Sequence, residues 1–385
     1  MAEDWQEAGF GLYVHWPFCQ AKCPYCDFNS HVVANVDQSR WADAFEREIA
    51  RYAAETDGRV LRSIFFGGGT PSLMQPETVA RVLNAARAAW PFANDCEITL
   101  EANPTSVEAA RFGGYADAGI NRISMGIQAL NDDDLRRLGR LHDVADAMAA
   151  FDVARTLFDR VSFDLIYARQ EQTLLGWKDE LRRALDMAVD HLSLYQLTIE
   201  EGTAFGDRYA AGRLRGLPDE DRAADMWDVT QEVTSEAGFA AYEVSNHARP
   251  GAESRHNLLY WKSGDYVGIG PGAHGRLTLD GARWATETPL APGAWIEKIE
   301  TTGSGEALRE TIDHADRLAE FLLMGLRVTD GIDEIRLSRL GGDVLFNNIS
   351  KLVSLDLLER RDGHIRATPQ GRAVLNSILR EILSD

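Results

Sequence analysis

The chain has 385 residues, 45 % of them hydrophobic, enough for two or more cored domains. Lys plus Arg number 40 against 60 Asp plus Glu, and the resulting net charge of −20 disfavours the polyanions nucleic acid and anionic membrane as partners. No apolar run approaches the ~20 residues of a spanning helix, and the acidic start MAEDWQEAGF lacks the basic and apolar regions of a signal peptide. The expectation is a soluble, cytoplasmic protein with no integral membrane segment.

The first half repeats one theme, a short β-branched or aromatic run followed by a longer amphipathic stretch. Expected strands are GLYVHW (11–16), LRSIFF (61–66), CEITLEA (96–102), RISMGIQ (122–128), RVSFDLIY (160–167) and HLSLYQL (191–197). Helical patterns lie between them, such as WADAFEREIARYAA (41–54) and LGWKDELRRALDMA (175–188). Strands alternating with helices imply parallel βαβ units. With no dinucleotide fingerprint after the first strand, six such strands indicate an incomplete (β/α)6 TIM-type barrel. The polar singularities fall at strand C-terminal ends, where barrel active sites are built. They are CQAKCPYC after the first strand, GGGTPS after the second, EANP after the third, GIQ in the fourth and DLIY in the fifth.

Residues 1–200 form the expected barrel, 201–305 an auxiliary segment rich in Gly and aromatics, and 306–385 a C-terminal unit. In that unit the helical patterns ADRLAEFLLMGLR and FNNISKLVSLDLLE precede a β-like element with a turn at Asp362-Gly363, then a last helix. The order resembles a winged helix. Groove binding needs phosphate neutralisation, so the chain's acidity favours packing or substrate capping over DNA binding.

Three of the four cysteines, Cys19, Cys23 and Cys26, crowd into C-x3-C-x2-C, which in a reducing compartment points to metal or redox chemistry. A structural zinc site wants a fourth ligand, for which His15 or His31 is available. An iron–sulfur cube held by three thiolates keeps one iron open, and an open position is where chemistry happens. Cys96, at the start of a strand, reads as a small buried hydrophobe. Gly67-Gly68-Gly69-Thr70-Pro71 lets backbone approach a ligand, yet is neither a Walker A loop nor G-x-G-x-x-G. GIGPGAHG, with Pro271 and no following helix, is a weak match to a dinucleotide loop. HNLLYW (256–261), read alone, is a strand plus turn.

The cysteine triplet resembles the radical S-adenosylmethionine (SAM) motif. The resemblance implies that Cys19, Cys23 and Cys26 hold a [4Fe–4S] cluster whose fourth iron is chelated by SAM. It implies SAM contacts from Tyr13, from Tyr25 near the adenine, and from Gly68, Gly69 and Thr70 near the methionine amino group. Glu101, Gln128, Arg140 and Asp164 match SAM-contacting positions of the coproporphyrinogen dehydrogenase/haem chaperone branch, where carboxylates suit ammonium and hydroxyls and Arg suits a carboxylate. That branch leads to the expectation DLIYGLP; here DLIYARQ departs from it at Ala168-Arg169.

Three features separate the two classes of the branch. The dehydrogenases carry a further cysteine where this chain has Phe28, and a long extension where only 18 residues precede Cys19. His256, Asn257, Tyr260 and Trp261 match the H-N-x-x-Y-W motif of the HemW-type haem chaperones, in which imidazole can ligate haem iron and aromatics can pack on the porphyrin. His247 and His274 are competing ligands, and Ser254 stands where those chaperones often have cysteine. The resemblance thus implies a chaperone that binds haem, the cluster and SAM, draws on a one-electron reductant and hands haem to acceptor apoproteins. The rivals are an oxygen-independent coproporphyrinogen III dehydrogenase and a zinc-stabilised interaction protein.

Overall fold

The computed structural model describes residues 4–384. The expected strands form β1 (Phe10–Trp16), β2 (Leu61–Gly68), β3 (Phe92–Ala102), β4 (Arg122–Gln128), β5 (Arg160–Tyr167) and β6 (His191–Gln196), all parallel and in sequence order. Helices α1 (Gln38–Glu55), α2 (Pro76–Ala89), α3 (Val144–Leu157) and α4 (Leu174–Met187) cover the outside. Side chains of a strand alternate between faces, and this alternation sorts the barrel chemically. Leu12, Val14, Ile64, Phe66, Ile98, Leu100, Ile123, Met125, Val161 and Phe163 form the core beneath the helices. The opposite, inner face carries Ser63, Glu97, Glu101, Arg122, Ser124, Ser162, Asp164 and Ser193. A lumen lined this way is built to receive something polar rather than to be filled by aliphatic layers.

The structure adds to the six-strand expectation. After α5 (Glu220–Glu236), the short strands β7 (Ala240–Ala241) and β8 (Asn246–Ala248) extend the β6 edge antiparallel. Past α6 (Arg255–Trp261), strand β9 (Asp265–Ile269) lies parallel to β1 and makes a seventh parallel strand. Strands β10 (His274–Leu279), β11 (Ala282–Glu287) and β12 (Leu308–Thr311) continue that edge antiparallel, giving one open sheet of 12 strands. Residues 201–305 therefore contribute strands to the barrel's own sheet. GIGPGAHG is the tight link from β9 to β10: Gly270 has φ +100, and a Cβ there would collide with the His15 carbonyl. Close chain crossing, and no phosphate, accounts for those glycines.

HNLLYW is helical, in α6, and not a strand plus turn. Ser254 caps it by accepting from Asn257 N at 3.3 Å, and Glu97 Oε1 accepts from Arg255 N at 2.9 Å and His256 N at 3.3 Å. Those bonds satisfy N-terminal amides that a short helix leaves open.

The C-terminal unit has its own core, built by Leu318, Phe321, Leu322, Ile349, Leu358, Ile365, Ile378 and Ile382. Its elements include α7 (His314–Gly325), β13 (Ile332–Asp333), α8 (Phe346–Ser354), the hairpin β14 (Leu358–Arg361) and β15 (His364–Ala367), α9 (Pro369–Ala373) and α10 (Leu375–Leu383), with a short helix at Glu334–Arg339 between β13 and α8. Asp362 and Gly363 both have positive φ, as a two-residue hairpin turn of type I′ requires. Among the described residues no helix is long and apolar enough to cross a membrane.

Candidate functional site at the barrel mouth

The cysteine loop is pinned at both ends. Phe18–Cys19 and His31–Val32 pair as a short parallel ribbon, and Cys26 N donates to Cys23 O at 3.1 Å. All three thiols are free and half-buried. Thr70 Oγ1 donates to Cys19 Sγ and Arg140 Nη1 to Cys23 Sγ, each at 3.3 Å. Asn103 ties these donors together, giving Nδ2–H to Thr70 Oγ1 at 3.1 Å and accepting from Arg140 Nη2 at 2.5 Å. Cys96 is buried under the helices, its thiol pushed up to about 12 by burial, consistent with a packing role.

Both histidines weighed as zinc ligands are engaged in hydrogen bonds. His15 bonds Tyr13 OH through Nδ1 at 3.0 Å and Asn29 O through Nε2 at 2.9 Å, while His31 Nε2 bonds Asn29 Oδ1 at 3.1 Å. Among the described residues no three His, Cys, Asp or Glu side chains are gathered for a single metal ion.

Strand ends supply the facing wall. Gly68 N donates to Glu101 Oε2 at 3.2 Å, Gly69 N to Trp16 O at 2.7 Å and Thr70 N to Phe18 O at 2.8 Å. The glycine run's amide donors thus serve the fold, and its offering to the cavity is bare backbone surface. Burial pushes Glu101 up to about 8, with repulsion from Asp164 adding to it. Asp164 is itself raised to about 6 by burial, against the opposing hydrogen bond to Ser193. Gln128 sits at φ +74, a region in which non-glycine residues are uncommon and which often marks functional sites. Its Oε1 and Arg140 Nε are buried without a partner among the described residues.

Eleven of the expected cluster and SAM residues line one cavity of about 150 Å³: the three cysteines, Tyr25, Gly68, Gly69, Thr70, Glu101, Gln128, Arg140 and Asp164. Only Tyr13 stands apart, one layer deeper, its ring stacked 6.3 Å from that of His256. The donor set fits the implied groups. Two repelling carboxylates want a cation between them, Gln128 Oε1 wants a donor, and the three soft sulfurs suit iron.

The departure at Ala168-Arg169 is also resolved. Ala168 takes φ +58, the left-handed conformation that glycine would supply. Arg169 turns into the fold, pairing with Glu180 at 2.5 Å and Asp134 at 3.0 Å.

The H-N-x-x-Y-W residues lie elsewhere, on α6 inside the lumen beneath the mouth. His256 is fully buried, its Nδ1 2.9 Å from Ser63 Oγ and its Nε2 2.7 Å from Tyr260 OH. It stacks on Phe65 at 4.9 Å, and burial lowers its pKa to about 3. Asn257, Tyr260 and Trp261 are half-buried. Of the competitors, His247 is buried and His274 is exposed beside Glu287.

A second cavity of about 1050 Å³ opens from the mouth and shares Tyr25, Cys26, Phe28, Glu101, Gln128 and Asp164 with the first. Its other walls include Trp227 from α5, Arg327 just after α7, Arg372 from α9 and Leu375 from α10. None of these was singled out from sequence: Arg327, Arg372 and Leu375 reach the wall only through docking of the C-terminal unit, and Trp227 belongs to no motif.

A partial parallel barrel whose first βα loop carries three free cysteines opposite strand-end carboxylates defines a radical SAM-type protein. The family model described as Radical SAM superfamily matches residues 13–183, and that of the HemN C-terminal domain residues 312–374. Radical S-adenosyl methionine domain-containing protein 1, mitochondrial, of Bos taurus is 40 % identical over 387 residues, covering 97 % of this chain and 87 % of that protein. The heme chaperone HemW of Escherichia coli (strain K12) is 36 % identical over 380 residues, covering 97 % and 98 %. In fold, the chain superposes on coproporphyrinogen III oxidase (HemN) from Escherichia coli with TM-score 0.81 at 22 % identity, over 98 % of this chain and 90 % of that one. The chain belongs to the radical SAM superfamily, in the branch of HemW- and HemN-type proteins.

Proposed function

We propose that this protein is a cytoplasmic haem chaperone that binds a [4Fe–4S] cluster, SAM and haem, and passes haem to acceptor apoproteins. The observation that carries the reading is the shared mouth: eleven expected cluster and SAM residues surround the small cavity, which opens into a space large enough for a bulky flat ligand. Cys19, Cys23 and Cys26 are the proposed iron ligands. Loaded and given a one-electron reductant, the cluster would supply the electron that reductive cleavage of SAM requires. Thr70 and Arg140 hold Cys19 and Cys23 in place by donating hydrogen bonds to their sulfurs. Glu101 and Asp164 draw the cationic end of SAM, Arg140 suits its carboxylate, and Tyr25, whose burial keeps the phenol protonated, flanks the adenine.

Phe28 supports the chaperone over the dehydrogenase. It projects at the cavity rim, 59 % exposed, where a reactive fourth cysteine would otherwise stand. The motif His256, Asn257, Tyr260 and Trp261 remains the proposed haem contact. His256 would have to leave Tyr260 to reach haem iron, whereas Trp261 lies beneath Arg327 of the cavity wall, 5.7 Å from guanidinium to ring centroid.

Anaerobic haem titration of the reconstituted protein, followed in the Soret region, is the test. Saturation near one haem per chain, without conversion of coproporphyrinogen III, is the expected result. Porphyrinogen turnover without haem binding would install the dehydrogenase reading instead.

A further inference from the structure

The larger cavity is electrically lopsided. On the barrel side it is lined by Glu101 and Asp164, with Asp219, Glu220 and Asp228 at and within α5. Among the described residues its cationic lining side chains are Arg327 and Arg372, both contributed by the C-terminal unit. In a chain with 60 acidic residues against 40 basic ones, most interior arginines are paired. These two are in no ion pair with a carboxylate of the described residues. Arg372 Nη2 reaches only the Glu243 carbonyl, at 2.8 Å, and Arg327 rests over the Trp261 ring. Burial lowers the Arg372 pKa, and the charge of the Glu243 carboxylate offsets this only in part. The same cavity is also lined by the apolar side chains Phe28, Ile166, Trp227, Val244 and Leu375.

An apolar slot with two guanidiniums along one wall recognises a flat hydrophobic body bearing two carboxylates, since arginine binds carboxylate through paired charge-assisted hydrogen bonds. We propose that Arg327 and Arg372 anchor the two carboxylates of a porphyrin dicarboxylate in this cavity; the proposal rests on the haem reading above and names the groups that orient the ligand. The acidic wall repels the same carboxylates, so the ligand enters in one orientation, its carboxylate edge toward the C-terminal unit. Arg327 also joins the site to Trp261, linking the cavity to the H-N-x-x-Y-W helix without requiring His256 to be exposed.

The test compares haem with haem dimethyl ester on the reconstituted full-length protein, by Soret titration. Wild type is expected to bind haem about tenfold or more tightly than the ester, the range for losing charged hydrogen bonds. Arg327→Met combined with Arg372→Met should abolish that preference, with iron content and SAM binding unchanged as checks of the fold. Equal affinity of the wild type for haem and ester overturns the anchor while leaving the haem reading intact. So does a preference that persists in the double variant. Binding of neither compound overturns both. The wild-type comparison needs no substitution, so a variant that fails to fold leaves the proposal open to refutation.

Discussion

The two ends of the barrel lumen are made from the same kinds of polar residue and differ in how completely those residues satisfy one another. At the base, Glu97 holds Arg122 and two α6 amides, and both nitrogens of His256 are matched. At the mouth, Gln128 Oε1 and Arg140 Nε lack partners, two carboxylates face each other, and Gln128 holds an uncommon backbone conformation. A protein interior tolerates open hydrogen-bonding capacity poorly, so two open groups lining the cavity at the mouth mark where a ligand completes the structure. At the base Glu97 and His256 are satisfied, though Trp261 Nε1 and His191 Nδ1 stay open; at the mouth the open groups face a cavity.

The largest expected effect breaks the mouth alone. Cys23→Ser should reduce iron from about four per chain to near zero after reconstitution, measured with sulfide analysis, while the melting curve of the unreconstituted protein stays unchanged. Iron and sulfide at wild-type levels would remove Cys23 from the ligand set. Breaking the base should do the opposite. His256→Ala leaves Ser63 and Tyr260 unmatched and opens a void, costing about 2–4 kcal/mol in urea unfolding with the cluster retained. A loss under half a kcal/mol would show that His256 does not brace the base as described.

The third prediction sharpens the electrostatic contrast. Glu101 is raised from its ordinary value of 4.5 to about 8, so its contribution to stability is full below about 4.5 and is lost as pH rises through 8. Unreconstituted protein should therefore gain stability at high pH when Glu101→Gln is introduced. SAM binding should run the other way, tightening in the wild type from pH 6 to 8.5 as the carboxylate deprotonates. A parallel pH profile in Glu101→Gln would sink the assignment. The smallest effect concerns Ala168: replacement by glycine relieves the φ of +58 and should stabilise the fold by about 1 kcal/mol. An unchanged or lower unfolding midpoint would argue against that strain.

Much of this was legible in the sequence because the inner and outer strand faces differ so sharply in polarity. RISMGIQ and RVSFDLIY were bounded to the residue, and their rim residues did assemble around one cavity. The helix in HNLLYW was not legible, since its N-terminus is stabilised by Glu97, 158 positions from the amide of Arg255. The seventh parallel strand, DYVGI, is short and takes its place only from pairing with β1. Arg327 and Arg372 carried no motif at all. Local pattern reports strands and loops, whereas long-range satisfaction decides which polar residues remain open.

The C-terminal unit, with a core separate from the barrel's, forms one wall of a cavity whose other wall is the barrel. A ligand held across that seam is mortar between two bricks. Empty protein should melt in two calorimetric steps, and a saturating occupant should merge them into one, so that loading and release are read out as the gain and loss of cooperativity between the units.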